Sequence, residues 1–279
     1  MDSSFLSLLI FIIITILYYL VIKVPLTTTI IDNDANFVEY TSANNIRLVI
    51  YFLLVVLTQF GLNAGIIMNK CGGSVQNNIG SAFIMTFIPW IFIFGILIVV
   101  LIVFPGFKSA FSNVVGYFAV SGRATNILTE LLENTDLSKT INDATGDSDK
   151  KNSLKSAAEA IIKLCGNMSI LINQIVPSNF NEYWAMLAPL MKDKYQMDNM
   201  PIQLKQELLD TVVMRDNIGE ALWYVYTAVL LISITQYNIA TKKCVQDLAS
   251  LEANQQEYQD EQAKLEEANK QSESSVYTL

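Results

Sequence analysis

The residues able to do chemistry in this chain are few and widely spaced. There is no histidine, which removes Ser-His-Asp and Cys-His nucleophiles, histidine proton shuttles and nearly all catalytic zinc sites. The three cysteines, Cys71, Cys165 and Cys244, form no CxxC pair, which removes zinc ribbons and thioredoxin-type redox centres. Asp143, Asp147 and Asp149 stand close together without the glycine and closing glutamate of a calcium loop, so they read as a solvated loop. The sequence points away from an enzyme: it offers no catalytic residue, no metal-ligand set and no cofactor signature.

The elements that would carry any site are apolar helices. The 279 residues are 52% hydrophobic and only 16% charged, against roughly 25% charged in soluble domains, and the mean hydropathy is +0.37. A bilayer core of about 30 Å needs roughly 20 apolar residues in a helix. Residues 5–22, 48–68 and 82–104 meet that requirement within a membrane region 1–104. A fourth span, 217–241, has an uncharged stretch from Ala221 to Ile239 but is more polar, with a buried or interfacial helix as its alternative. The first span reads as a retained anchor, since no Lys or Arg precedes it and no A-x-A site follows. The expected fold is an all-α integral membrane protein with four transmembrane helices, a helical extramembrane domain over 105–216 and a long C-terminal helix.

Four spans place both termini on one face of the bilayer. Lys23, Arg47, Lys108 and Arg215 fall on the other face, against Lys70, Lys242 and Lys243 on the terminal face, a slight excess that favours a cytoplasmic 105–216. Cys71 and Cys244 both lie just outside spans on the terminal face. They would pair in an oxidising compartment, or serve as acylation sites or remain free thiols in a reducing one. Within the second span, Gly61 and Gly65 would let two helices approach closely, and Gln59 and Asn63 would hydrogen-bond across the contact, within the chain or in a homo-oligomer. The other polar residues of the spans are Thr58, Thr86, Ser233 and Thr235, with Glu220 at an edge.

Outside the bilayer, Phe107, Phe111, Val114 and Phe118 are spaced as one aromatic helix face, suited either to the headgroup region or to the domain's own core. A helix is expected near 125–133, an exposed loop over 134–152, and then a helix whose apolar positions Leu154, Ala158, Ile161, Cys165, Met168, Ile172 and Ile175 form a seam ended by Pro177. A shorter helix near 179–192 holds Trp184. From Ile202 one uninterrupted helix could reach about Asn269, with Gly219 its weakest interior point. Its acidic end, 242–270, is a solvated helix or a marginal coiled coil with Leu251, Tyr258 and Leu265 as the seam, and 271–279 are expected to be disordered. Residues 244–279 carry 8 acidic and 2 basic side chains and account for most of the net charge of −8. No basic patch suited to a nucleic-acid backbone occurs.

Residues Phe104-Pro105-Gly106-Phe107-Lys108-Ser109-Ala110-Phe111-Ser112-Asn113-Val114-Val115-Gly116-Tyr117 resemble a segment of multi-pass membrane proteins from nucleocytoplasmic large DNA viruses. In that pattern a tryptophan follows FPG and a proline precedes FSN, where this chain has Phe107 and Ala110. The resemblance implies a viral membrane protein in the virion's internal membrane or a host-derived one, and it transfers no catalytic residues. The expected function is structural: a membrane protein that binds other membrane or capsid proteins through 105–216 or the acidic tail, with lipid as its other partner. The competing expectation is a channel, transporter or fusion component, with Gln59, Asn63 and Glu220 near a pore.

Overall fold

A computed structural model describes residues 3–71, 75–132, 168–188, 191–195, 201–244 and 248–276. These are helical with short connections, and no strand occurs among them. Helix α1 is Ser3–Leu17, continued by a π turn over Tyr18–Ile22. Helix α2 is Asp34–Cys71. Helix α3 is Val75–Pro89, followed by a π turn over Trp90–Phe94 and a last α segment, Gly95–Val103. Pro89 has no N–H to give to the helix ladder, and the π turn follows directly after it. Helix α4 is Tyr117–Leu131, α5 Met168–Gln174, α6 Phe180–Leu187, α7 Ile202–Thr241 and α8 Leu248–Val276.

Four helices are long and apolar enough to cross a membrane: Ser3–Ile22, Asp34–Cys71, Asn78–Val103 and Ile202–Thr241. Their side chains are sorted the opposite way from those of a water-soluble helix. Leu20, Val21, Leu57, Ile84, Phe92 and Val99 are exposed, whereas Ser7, Thr15, Gln59, Asn63, Thr86 and Thr235 are buried. Outward apolar groups and inward polar ones are the arrangement a lipid solvent requires.

Two helices outrun their spans. At 1.5 Å per residue, α2 is about 57 Å long and α7 about 60 Å, roughly twice the bilayer core. Between the spans placed at 5–22 and 48–68 the chain is therefore helical from Asp34 onward. The Asn33 carboxamide accepts from the amides of Ala35 and Asn36 at 3.0 and 3.2 Å, which caps the start of α2.

The expected single helix from Ile202 to Asn269 is two helices. The first stops at Thr241 because the Lys70 ammonium takes its final carbonyls, donating to Ile239 O at 2.8 Å, Ala240 O at 2.7 Å and Lys242 O at 3.3 Å. At its far end, α8 runs to Val276 rather than fraying at 271, since its Glu, Gln, Lys and Ser residues support helix without interruption. Most of the seam expected over 154–175 lies outside the described residues. Its end is described: α5 stops at Gln174, shortly before Pro177.

The chain divides into two compact units. The first comprises Met1–Phe11, Leu53–Phe94 and Ala228–Leu279. Its interior holds Ala64, Ile67, Cys71, Ala82 and Ile239, and a ring cluster in which Phe11 meets Trp90 at 5.9 Å and Phe94 at 5.8 Å. The second comprises Ile12–Phe52 and Gly95–Thr227. Its core is built by α4 (Ile127, Leu128, Leu131), α5 (Leu171, Ile172), α6 (Phe180, Trp184, Leu187) and the polar half of α7 (Leu208, Leu209, Val212). Leu26 and Ile31 close that core, held there by Gln206, which accepts from Thr28 N at 2.8 Å and donates to Leu26 O at 3.2 Å, and by Asn181, which donates to Ile31 O at 2.7 Å.

The aromatic stripe expected on one helix is split between a 3-10 turn (Pro105–Lys108), a short α turn (Ser109–Phe111), a π turn (Ser112–Gly116) and α4. Phe107, Val114 and Phe118 are exposed, so the stripe does not fill the domain core. Phe111 instead packs edge-on against Trp223 at 4.9 Å, and the Trp223 indole donates to Phe107 O at 3.0 Å. The π turn lies directly on α7. A Cβ added to Gly219 would fall 2.6 Å from Ser112 Cβ and 2.7 Å from its nitrogen, and one added to Gly116 would fall 2.6 Å from Arg215 O. Gly219 is thus a point of close approach rather than a weak link.

This predicts an inversion of helix propensity. Glycine to alanine within a helix ordinarily gains about 1 kcal/mol, but overpacking against fixed backbone costs about 1–3 kcal/mol. Gly219→Ala should lower the thermal midpoint of the purified protein, whereas Gly61→Ala, with nothing within 4 Å of its added Cβ, should leave it unchanged or raise it. Equal behaviour of the two variants would contradict the packing.

Candidate functional sites: a polar relay, a disulfide and a buried ion cluster

Several polar side chains of the spans bond across helices. In the first unit, Ser3 Oγ donates to Gln236 Oε1 at 3.0 Å, Gln236 Nε2 to Asn63 Oδ1 at 3.1 Å, and Asn63 Nδ2 to Thr86 Oγ1 at 3.0 Å. This one relay joins α1, α7, α2 and α3. Gln59 Nε2 adds a second tie between α2 and α1, donating to Ser7 O at 3.0 Å. In an apolar solvent each bond spares an unpaired polar group, and such interhelical bonds are worth about 0.6–2 kcal/mol each.

Gln59 and Asn63 therefore do make helix contacts, but Gly61 and Gly65 do not share them. Both glycines have open space around an added Cβ. The reason is geometric: each lies two residues from Asn63, about 200° away around the helix. Among the described residues no close approach occurs at these glycines, and Gly116 and Gly219 provide one instead. Sequence reasoning missed that pair because the two residues sit on different segments at unrelated spacing.

Cys71 and Cys244 form a disulfide across 173 residues, with Cα atoms 5.2 Å apart. Of the fates open to them from sequence, pairing is the one the structure shows. It fastens the end of α2 to the segment after α7, beside the carbonyls that Lys70 occupies. Cys165 lies outside the described residues. In the tail, Tyr258 and Leu265 are both exposed on α8, and the backbone of Leu251 lies on the same helix.

The second unit holds a buried ion cluster at the edge of the spans. Glu220 is 4% exposed and sits one helical turn after Asp216 on α7. Its carboxylate pairs with the Lys108 ammonium, which follows α3, and with Lys23, which follows α1, at 3.7 Å. It also accepts from Tyr19 Oη at 3.0 Å and Tyr224 Oη at 3.1 Å. Lys108 reaches Asp216 at 3.4 Å, and Lys23 donates to Asn217 at 2.7 Å.

Burial pulls the Lys108 ammonium down, yet the two adjacent carboxylates, Glu220 and Asp216, more than offset it and hold Lys108 above the ordinary lysine range. Lys23 moves the other way: burial lowers it, and its longer approach to Glu220 offsets that only in part. Next to the cluster, Arg215 is fully buried and donates to Ile172 O and, at 2.8 Å, to Ile175 O, closing the C-terminal end of α5. From sequence these residues were visible only as edge charges. The available signal was that Lys23, Lys108, Asp216 and Glu220 all fall at the same end of their spans.

The charges of Lys23, Lys108, Asp216 and Glu220 neutralise one another, and the polar relay ties helices together. No family model matches the chain, and no curated protein or solved structure matches it either.

The disulfide gives a direct readout. Denatured without reductant, the protein should accept one alkylating group, on Cys165, and three after reduction. Cys244→Ser should expose Cys71 to labelling and lower the thermal midpoint, in keeping with the roughly 2–5 kcal/mol typical of a native disulfide. Three labels without reductant would contradict the pairing.

Proposed function

We propose that this protein is a structural membrane anchor that holds partner proteins at the bilayer. The observation that carries this reading is α8. Every described side chain from Gln255 to Glu267 is exposed, including Tyr258 and Leu265 seven residues apart, on a strongly acidic surface. A helix of 29 residues whose described side chains are exposed is stabilised best by another protein, and one apolar residue per heptad suits a partner that supplies the rest of the seam.

The arrangement of the spans supports the same reading over a channel or transporter. Gln59, Asn63 and Glu220, which a pore would need, are bonded to Ser7, Thr86, Gln236, Lys23 and Lys108. The disulfide also bears on orientation. Disulfides persist in oxidising compartments, which supports an extracytoplasmic face for Cys71, Cys244 and α8. The slight excess of basic residues at the opposite span ends supports the same orientation, with 105–216 on the cytoplasmic side. The resemblance of 104–117 extends the proposal to the internal membrane of a large DNA virus, with capsid or other membrane proteins as the partners.

Photo-crosslinking in the source membrane tests the proposal. A photoreactive residue at Tyr258 or Leu265 of the full chain should give one discrete adduct with a protein, a second copy of the chain included, whereas one at Leu20 or Phe92 should label lipid. Absence of a protein adduct from both tail positions, together with ion flux through liposomes reconstituted with the full chain, would favour the pore reading.

A further inference from the structure

Beside the ion cluster lies a cavity of about 450 Å³, within the size range of small-molecule sites. Its walls come from the span ends at one bilayer edge: Tyr18 and Lys23 after α1, Leu48 in α2, Leu101 and Ile102 in α3, and Glu220 and Tyr224 in α7. That is the depth at which hydrocarbon gives way to headgroups. Two π turns line it, one with Tyr18 and one with Ser112 and Asn113, and π turns within helices are frequent at functional sites.

Five buried polar atoms on this wall have no hydrogen-bond partner among the described residues: Tyr18 Oη, Asn44 Oδ1, Asn113 Oδ1, Asn173 Oδ1 and Arg215 Nε. Tyr18 and Arg215 are both fully buried. Buried polar groups are normally paired, so a concentration of unpaired ones along one cavity calls for a polar occupant. The set is specific. Three carboxamide oxygens can only accept, so they require donors; the guanidinium N–H and the phenol can donate to an anionic oxygen. Lys23 and Lys108 are balanced by Asp216 and Glu220, which leaves the single positive charge of Arg215.

We propose that this cavity binds the headgroup of a monoanionic phosphodiester carrying its own hydroxyls, with the phosphate toward Arg215 and Tyr18 and the hydroxyls toward Asn44, Asn113 and Asn173. Its position at the membrane edge makes a phospholipid such as phosphatidylglycerol the natural source, with the acyl chains following the apolar wall at Leu48, Leu101 and Ile102.

Native mass spectrometry of the full chain, purified from detergent micelles doped with one lipid at a time, tests this. Phosphatidylglycerol should be retained at about one per chain and at least tenfold more than phosphatidylcholine or phosphatidylmethanol, the last having the same charge without a hydroxyl. Asn173→Leu and Asn44→Leu should each reduce retention at least fivefold. Asn44→Leu is the second variant because the Asn173 amide also donates to Asn113 O at 3.2 Å, and an intact Cys71–Cys244 bridge reports folding. Saturation by glycerophosphoglycerol at the same concentration would support the same site with a soluble ligand. Equal retention of all three lipids, or unchanged retention in both folded variants, would overturn the proposal.

Discussion

Glu220 imposes the tightest constraint in this structure. A carboxylate removed from water costs several kcal/mol unless opposite charges and hydrogen bonds replace the solvent, and here the replacement comes from distant parts of the chain. Lys23 arrives from the end of α1, Lys108 from the turn after α3, and the Tyr19 and Tyr224 phenols complete the shell. Satisfying Glu220 therefore sets where those segments cross α7. Other contacts depend on that placement: Ser112 against the bare backbone of Gly219, Gly116 against Arg215, and Arg215 in turn closing α5. The core of α4, α5 and α6 is assembled on a helix whose register a buried charge has fixed.

The first unit solves a similar problem without charge. Its spans present Leu, Ile, Val and Phe outward, and lipid is as apolar as those side chains, so little hydrophobic force draws the helices together. Directional bonds take that role. The relay from Ser3 through Gln236 and Asn63 to Thr86 involves one side chain from each span, and the Lys70 cap and the Cys71–Cys244 bridge close the end of the same unit. Ser3, Gln59, Asn63, Thr86 and Gln236 direct their polar groups at neighbouring helices.

Much of this was legible in the sequence because bilayer thickness is a strict ruler. Four uncharged runs of the required length identify four spans, and the absence of histidine and of clustered cysteines is a plain count. Local signals were harder to interpret. Gly61 and Gly65 carry the familiar four-residue spacing, yet Gln59 and Asn63 occupy the other side of the same helix, and a helix can turn only one face to a neighbour. Gly219 looked like a flaw in a long helix because its value lies in Ser112, a hundred residues away and invisible to any local window. The break at Thr241 was hidden for the same reason: no proline or glycine marks it, and Lys70 from another helix makes it. What fixes this fold is pairwise and long-range, and a periodicity reading sees only one partner at a time.

The dependence of the second unit on its buried ion cluster can be measured with a double-mutant cycle on Lys108→Met and Glu220→Leu, read as thermal unfolding of the full chain. Each single variant strands a buried charge and should lose about 3–5 kcal/mol. The double variant removes one charge of each sign, leaves Lys23 opposite Asp216, and should lose less than either single variant, giving a coupling energy above about 3 kcal/mol. Losses that simply add, or single variants as stable as the parent, would show that the cluster does not hold the fold together.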